Sequence, residues 1–431
     1  MTIILKKINI FNLLISIISI YLSLLFIEVF FILTNLDKKN IRTEIDKVFQ
    51  EKKKNKVFDD RSIIEFYLDL KKKNENIKLS TTAIGLNTHL DPTFVLDNGI
   101  KVYPLSGISN SNTVLCNENG YFATYTSDNY GFNNTADWKS NYDFLILGDS
   151  KVEGFCVNEK DNIAGNLKKL LKRDDVLNLG RGGNGPLKNY AILKEYIDLI
   201  NVKNIIYFHT SGNDIQDLYL ELKHSILIKY IKDKNFKQNL PKLQLFIDKQ
   251  LEKKTSDIVS RYKKFENDNV NDNKKNSLIK LIKLHRTIRF KNKVSRTITN
   301  KKEERIEVDT FSTDNIFDDF IKNEFKSIIS LIYDIASQRN INFYFVYVPS
   351  YYSDPKTIDK KEKIIVSSNQ YYDDILNVID SLDITLIDLK KILLEETNDP
   401  LSLLPFRLSG HFNEKGNELI ANILLKEISS R

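Results

Sequence analysis

The chain has little of what metal centres and redox sites are made from. Its 431 residues include two cysteines, five histidines and one methionine. No Cys or His pair stands at a zinc-ligand spacing, so the sequence implies no metal, and nothing in it implies a cofactor. Proline and tryptophan are also scarce, while Lys, Asn and Ile abound. That pattern reads as compositional bias rather than as a fold signal. A block of like charge is missing too: the net charge of +7 is spread along the chain. With no nucleic-acid motif beside it, it argues against a nucleic-acid partner.

The two cysteines are Cys116 and Cys156, the second six residues after Ser150 and the first in the segment leading into the same strand. They read as a disulfide if this part of the chain is exported, or as two reduced, buried thiols if it is not.

What the chain does have is one long apolar run, Ile8 to Leu33. At about 1.5 Å rise per residue it can cross a ~30 Å hydrocarbon core. Lys6 and Lys7 precede it and no convincing small-residue cleavage site follows, so it reads as an uncleaved anchor in a lipid bilayer. Glu28 is placed near the headgroups at the end of the span, although an acid inside a membrane is also a functional candidate. Lys38, Lys39 and Arg42 follow the span. Their charge alone favours a cytoplasmic C-terminal part, but large domains translocate regardless of such charge. The cysteine pair favours export, and the expected location is a single-pass membrane protein with its main domain outside the cytoplasm, in the periplasm.

A chain of this length holds more than one unit. Residues 1–36 are the expected anchor and 37–80 a lysine-rich helical stalk. Residues 81–141 form a short, turn-rich aromatic region of strands and loops packed on the main domain, 142–431. From Tyr142 onward, apolar strand patterns alternate with helical ones. Strands are expected at Phe144–Leu147, Val176–Leu179, Asn204–Phe208, Phe343–Val348 and Thr385–Ile387. Helices are expected at Ile163–Lys172, Leu187–Leu199, Ile316–Ser337, Asn369–Asp380 and Glu414–Ile428. The fold class is therefore α/β: a doubly wound, flavodoxin-like parallel sheet of about five strands. A polar, helical insertion occupies about 215–315. Within it Leu278–Phe290 is basic and amphipathic, suited to an anionic membrane surface or a lid, but more simply a helix with one packed face.

The site is expected where Tyr142–Gly154, YDFLILGDSKVEG, hands a strand over to a helix. Ligands bind at that edge of open α/β sheets. Ser150 there reads either as a nucleophile or, with Asp149, as a helix cap.

Four separated pieces decide between these readings. Gly148-Asp149-Ser150 with Gly154, Leu177 to Asn184, Gly212-Asn213-Asp214, and Gly410-His411-Phe412-Asn413 with Gly416 stand in this order. Together they resemble the four blocks of the SGNH (GDSL-type) hydrolase family, of the membrane-anchored bacterial type. Asp128–Asn134, DNYGFNN, resembles the lead-in segment of some anchored members, and reads as a structural loop rather than as pocket lining. The resemblance covers roughly 142–431 without the insertion, and has two departures. Ser211 replaces the first glycine of the third block. The family's acid, usually two or three residues before the histidine, is missing, because Ser409 and Leu408 stand there.

The resemblance implies Ser150 as nucleophile and His411 as its base, with Gly183 and Asn213 as oxyanion donors beside the Ser150 N–H. His209 is expected to pack or to orient Asn213. The orienting acid is left open among Asp388, Asp399, Ser409 or a backbone carbonyl. The expected function is a membrane-anchored serine esterase acting on acylated, chiefly O-acetylated, cell-envelope carbohydrate, the substrate class resting on family analogy. Two alternatives stand beside it: an O-acyltransferase on surface polysaccharide using the same site, and a non-catalytic glycan-binding or scaffold protein.

Overall fold

The computed structural model describes residues 19, 21, 23, 24, 58–85, 92–135, 137–275, 316–353, 365–368, 371–408 and 410–430. The chain divides into two compact units. One takes in residues 1–43 and 260–314; its described residues are helical. The other, residues 44–259 and 315–431, holds the sheets and the site. No helix among the described residues is long and apolar enough to cross a membrane. The expected span, Ile8–Leu33, lies outside them save for positions 19, 21, 23 and 24; Glu28, Leu278–Phe290 and Ser409 lie outside them too.

Helix α1 (Ile63–Lys71) opens the second unit on a capping box: Ser62 Oγ accepts from Glu65 N at 3.2 Å, and the Glu65 carboxylate accepts from Ser62 N at 2.6 Å. Five short strands follow: β1 (Ile77–Leu79), β2 (Phe94–Val95), β3 (Lys101–Val102), β4 (Asn112–Val114) and β5 (Thr124–Thr126). Strands β2 and β3 form a hairpin, and β4 pairs parallel with β1 and antiparallel with β5. The described end of the expected stalk is thus packed rather than free-standing. Ile64 and Tyr67 are buried, and Phe66 stacks on Phe122 at 4.4 Å. The apolar stripe that made the segment look helical needs a surface to cover it.

The central sheet begins with β6 (Asn141–Leu147), whose FLIL run is buried on both faces. After it come α2 (Ser150–Glu153), α3 (Ile163–Leu171), β7 (Val176–Asn178), α4 (Pro186–Tyr196), β8 (Asn201–Thr210) and α5 (Asp214–Glu221). Helices α6 (Lys229–Lys232) and α7 (Leu240–Lys275) follow in the described part of the insertion. The chain then runs through α8 (Asp319–Gln338), β9 (Asn342–Val348), β10 (Ser350–Ser353), β11 (Ile365–Ser368), α9 (Tyr372–Asp380), β12 (Thr385–Asp388), α10 (Leu389–Glu396) and α11 (Glu414–Ser429). The hairpin β10–β11 and helix α10 were not expected from the sequence.

Strand order is β12-β9-β8-β6-β7, with every pair parallel. Counted along the chain within this sheet, that is 2-1-3-4-5, the flavodoxin-like order, with its switch point beside β6. The carboxyl ends of β6, β7 and β8 therefore lie side by side. Asn162 caps α3 by accepting from Gly165 N at 2.7 Å, and Asn413 caps α11 by accepting from Gly416 N at 3.0 Å. The second cap fixes the direction in which the chain leaves His411.

Candidate active site

Ser150 is the first residue of α2, directly after the Asp149 N-cap, whose Oδ1 accepts from Lys151 N at 2.9 Å. The turn is tight. Gly154 ends it at φ +83°, and a Cβ there would lie 2.5 Å from Asn162 Cβ, so the last glycine of the first block is required sterically.

The second block is held under this turn. Leu179 N donates to Ile146 O at 2.9 Å and Arg181 N to Gly148 O at 3.1 Å. Glu153 and Arg181, both buried, pair at 3.1 Å. Glu153 also accepts from Gly182 N at 2.7 Å and from Thr82 Oγ1 at 2.9 Å. Asn178 Nδ2 donates to Val152 O, and Asn133 Nδ2 to Glu153 O. Asp128 collects Tyr130 N, Phe132 N, Asn134 Nδ2 and Trp138 Nε1, and burial pushes its carboxyl up to about 6 against those bonds. The DNYGFNN segment is therefore a brace behind the Ser150 turn.

Gly183 follows β7 at φ +73°, half-buried. Its carbonyl accepts from Lys188 Nζ at 2.7 Å. Among the described residues neither the Gly183 nor the Ser150 N–H has an acceptor. Asn213 follows β8, and its Nδ2 donates to Asp217 Oδ2 at 2.7 Å. That bond orients the amide and uses one of its two hydrogens. The departure at Ser211 has a local use: its N donates to Val348 O at 3.0 Å and its Oγ accepts from Ser350 N at 3.1 Å, tying the ends of β8 and β9 together. His209 packs among Phe325, Phe345 and Tyr347. Burial, with the Lys151 charge, pulls it down to about 3, so it stays neutral.

His411 stands close to Ser150. Its Nε2 lies 2.8 Å from Ser150 Oγ. Helix α10 and two short helical turns separate it from the last strand.

The other ring nitrogen meets a residue that sequence reasoning missed. Nδ1 lies 3.0 and 3.1 Å from the two carboxylate oxygens of Glu118, and the His411 backbone N donates to the same carboxylate at 2.9 Å. Two of the candidates named for this role, Asp388 and Asp399, are corrected. Asp388 caps α10, accepting from Lys390 N at 3.0 Å and from the Tyr372 hydroxyl. Asp399 is held in a two-pronged pair by Arg407, with Nη2 at 2.8 Å. Each carboxylate is consumed locally, by a helix start or a nearby guanidinium. Ser409 lies outside the described residues, and a carboxylate already fills the place considered for a backbone carbonyl.

Glu118 sits at the tip of the β4–β5 hairpin, closed by Leu115 N to Ala123 O at 2.9 Å and Ala123 N to Cys116 O at 2.8 Å. The tip is fastened to the segment after Ser150. Cys116 and Cys156 are bonded, with Cα atoms 4.8 Å apart. Asn119 Nδ2 donates to Cys156 O at 3.0 Å, and Tyr121 OH donates to Glu414 Oε1 at 2.5 Å. A signal did exist in the sequence. A Cys116–Cys156 bond places residue 118 near Ser150, and Glu118 is the acid beside that cysteine.

Electrostatics suit a base and its partner. Burial pulls His411 down, but the Glu118 charge and hydrogen bond outweigh it and hold the imidazole above its ordinary value. Burial likewise raises Glu118, and the facing imidazolium outweighs that, so its carboxyl lies below its ordinary value. Both side chains remain about a quarter exposed, 24% and 28%, so the pair opens to solvent. Phe155 covers one side of the imidazole, with ring centroids 4.8 Å apart. The arrangement can take a proton from Ser150, hold it on His411 and stabilise the resulting cation. Among the described residues no group of His, Cys, Asp and Glu could hold a metal.

No family model matches the chain, and no curated protein matches it. Solved structures do. An acetyl xylan esterase, AlAXEase, is similar over 66% of this chain and 99% of its own, at 14% identity and a TM-score of 0.33. A protein named as a lipolytic member of the G-D-S-L family, from Desulfitobacterium hafniense DCB-2, is similar over 65% of this chain and 97% of its own, at 11% identity and a TM-score of 0.30.

Proposed function

We propose that this chain is a serine ester hydrolase of the SGNH type, held to a membrane by residues 8–33, that removes O-acetyl groups from cell-envelope carbohydrate outside the cytoplasm. The observation that carries the reading is the relay Ser150 Oγ, His411 Nε2, His411 Nδ1, Glu118, made of contacts of 2.8 to 3.1 Å. A half-buried serine in a helix-cap role needs none of it.

In this reading His411 takes the Ser150 proton as Oγ attacks the ester carbonyl, and the Ser150 and Gly183 N–H groups and the Asn213 amide hold the oxyanion. His411 then returns the proton to the leaving alkoxide. Water, deprotonated by the same imidazole, attacks the acyl carbon; the acid leaves, and Ser150 Oγ takes the proton back from His411. Glu118 keeps the tautomer that leaves Nε2 free to accept, and it stabilises the cation.

The carbohydrate class rests on the resemblance of the four blocks, and the ester chemistry on the relay. The disulfide supports an oxidising compartment. With Glu118 in place, the absent acid no longer favours a slow, transferring or non-catalytic protein.

The test is intact mass of the full chain after treatment with a fluorophosphonate. Wild type is expected to gain one probe mass, and Ser150→Ala and His411→Ala none. A folded wild type that stays unlabelled would overturn the reading.

A further inference from the structure

Catalytic acids in serine hydrolases need a rigid mount, because an imidazole gains orientation only from a carboxylate that is itself held still. Glu118 is on a hairpin tip, 293 residues before His411 and outside the central sheet. Strands β4 and β5 are three residues each, and β5 is an edge. Short edge strands open easily. Across the interface towards Ser150 the tip has one covalent link, Cys116–Cys156, two residues before Glu118 and six after Ser150. The other ties to that segment are not covalent: Asn119 Nδ2 donates to Cys156 O, Thr124 N donates to Asn158 Oδ1 at 3.2 Å, and Phe155 packs against Leu115, Ala123 and Tyr125. Cys156 itself sits at φ +63°, in the left-handed region, directly after Phe155, whose ring lies on His411. The bond thus fixes two neighbours of the imidazole together: the carboxylate on one side and the phenyl ring on another.

We infer that the Cys116–Cys156 disulfide is a positioning element of the site, and that its reduction lowers catalysis by letting Glu118 leave His411. The inference rests on the hydrolase reading above. It makes oxidation of the chain a condition for full activity, so the protein would idle in a reducing compartment and mature on export. It also means that residues 142–431 are not a complete catalytic unit, since the acid and one half of its clamp come from the region before them.

The chain has two cysteines, so a phosphine reductant has one target. The phosphine gives two electrons to the S–S bond and takes oxygen from water to become its oxide, and the sulfurs leave as two thiols. The experiment uses the full chain in detergent, with hydrolysis of 4-nitrophenyl acetate followed across pH. Four forms are compared: wild type and Glu118→Gln, each oxidised and reduced, with Cys116→Ala/Cys156→Ala as a reagent-free check. Reduction of wild type is expected to lower kcat about tenfold to a hundredfold with little change in KM. It should also move the lower pH limb towards acid, and near-UV circular dichroism of the core should be kept. Reduction of Glu118→Gln is expected to change kcat less than about twofold, because the acid that the bond positions is already gone. Unchanged kcat on reducing wild type would overturn the inference. So would an equal loss in Glu118→Gln, which is what a merely structural bond produces. An oxidised wild type that neither hydrolyses nor accepts a fluorophosphonate overturns the hydrolase reading itself, and this inference with it.

Discussion

The Glu118 carboxylate meets Nδ1 of His411 with both oxygens, at 3.0 and 3.1 Å, across 293 residues of chain. The contact joins a small N-terminal sheet to the loop before the last helix. It turns a serine–histidine pair into a three-membered relay.

Replacing Glu118 by Gln keeps the shape of the side chain and removes the charge. The imidazolium loses its partner, and the amide can present its NH2 to Nδ1 and favour the wrong tautomer. Hydrolysis of 4-nitrophenyl acetate is expected to fall about 10²- to 10⁴-fold in kcat with KM nearly unchanged. Asp388→Asn and Asp399→Asn serve as controls and should stay within about threefold of wild type. A larger loss in either control than in Glu118→Gln would return the acid's role to the last strand or its loop.

The pH dependence follows from the same contact. The base must be neutral to accept the Ser150 proton, so the rate should rise with pH through the His411 pKa. Glu118 holds that pKa above the ordinary 6.5 despite burial, so the limb should lie above 6.5 in wild type and move lower in Glu118→Gln. Stability has its own sign. A raised histidine contributes fully below pH 6.5 and loses its contribution as pH climbs through its folded value. A lowered glutamate contributes fully above pH 4.5 and loses its contribution as pH falls through its folded value. The difference in Tm between wild type and Glu118→Gln should therefore be widest between pH 4.5 and 6.5 and narrow on both sides. A difference constant across pH would mean that the pair is not ionised as described.

Asn213→Ala should lower kcat about 10²- to 10³-fold if its free amide hydrogen meets the oxyanion. Asp217→Asn, which disturbs the orientation of that amide but keeps the amide itself, should cost less. If the two variants lose the same small factor, Asn213 is a helix-start residue and not a donor to the reaction.

Glu153 and Arg181 form a buried pair at 3.1 Å that locks the Ser150 turn to the glycine loop. Removing one partner leaves a buried charge unanswered. Glu153→Ala should destabilise the fold by about 3–5 kcal/mol in urea titration, and it should lower kcat as well because Gly182 and Gly183 lose their anchor. Full stability in this variant would show that water replaces the carboxylate.

Membrane attachment is checked most directly by fractionation. The full chain should sediment with membranes and resist high salt, and a chain begun after residue 36 should not. A full chain extracted by salt alone would point to surface adsorption in place of a span.

Local pattern was enough for much of this protein. The apolar runs at Phe144–Leu147 and Phe343–Val348 are strands because such runs, bounded by turns, are buried on both faces of a parallel sheet. Ser150, Gly183 and Asn213 could be placed because each follows a strand at the same sheet edge, within a few residues of a pattern visible in the chain. His411 could be placed because Asn413 and Gly416 mark the start of the helix after it. What the pattern could not say is which carboxylate faces the imidazole. The chain has 57 acidic residues, and Asp388 and Asp399 looked eligible only by nearness along the sequence. An orienting acid is defined by a distance of about 3 Å in space, and no periodicity or propensity encodes a contact between residues 293 apart. The fold settled it: a β4–β5 hairpin bonded through Cys116 to Cys156 brings Glu118 to His411, while local caps and an arginine take up the acids that stood closer in sequence.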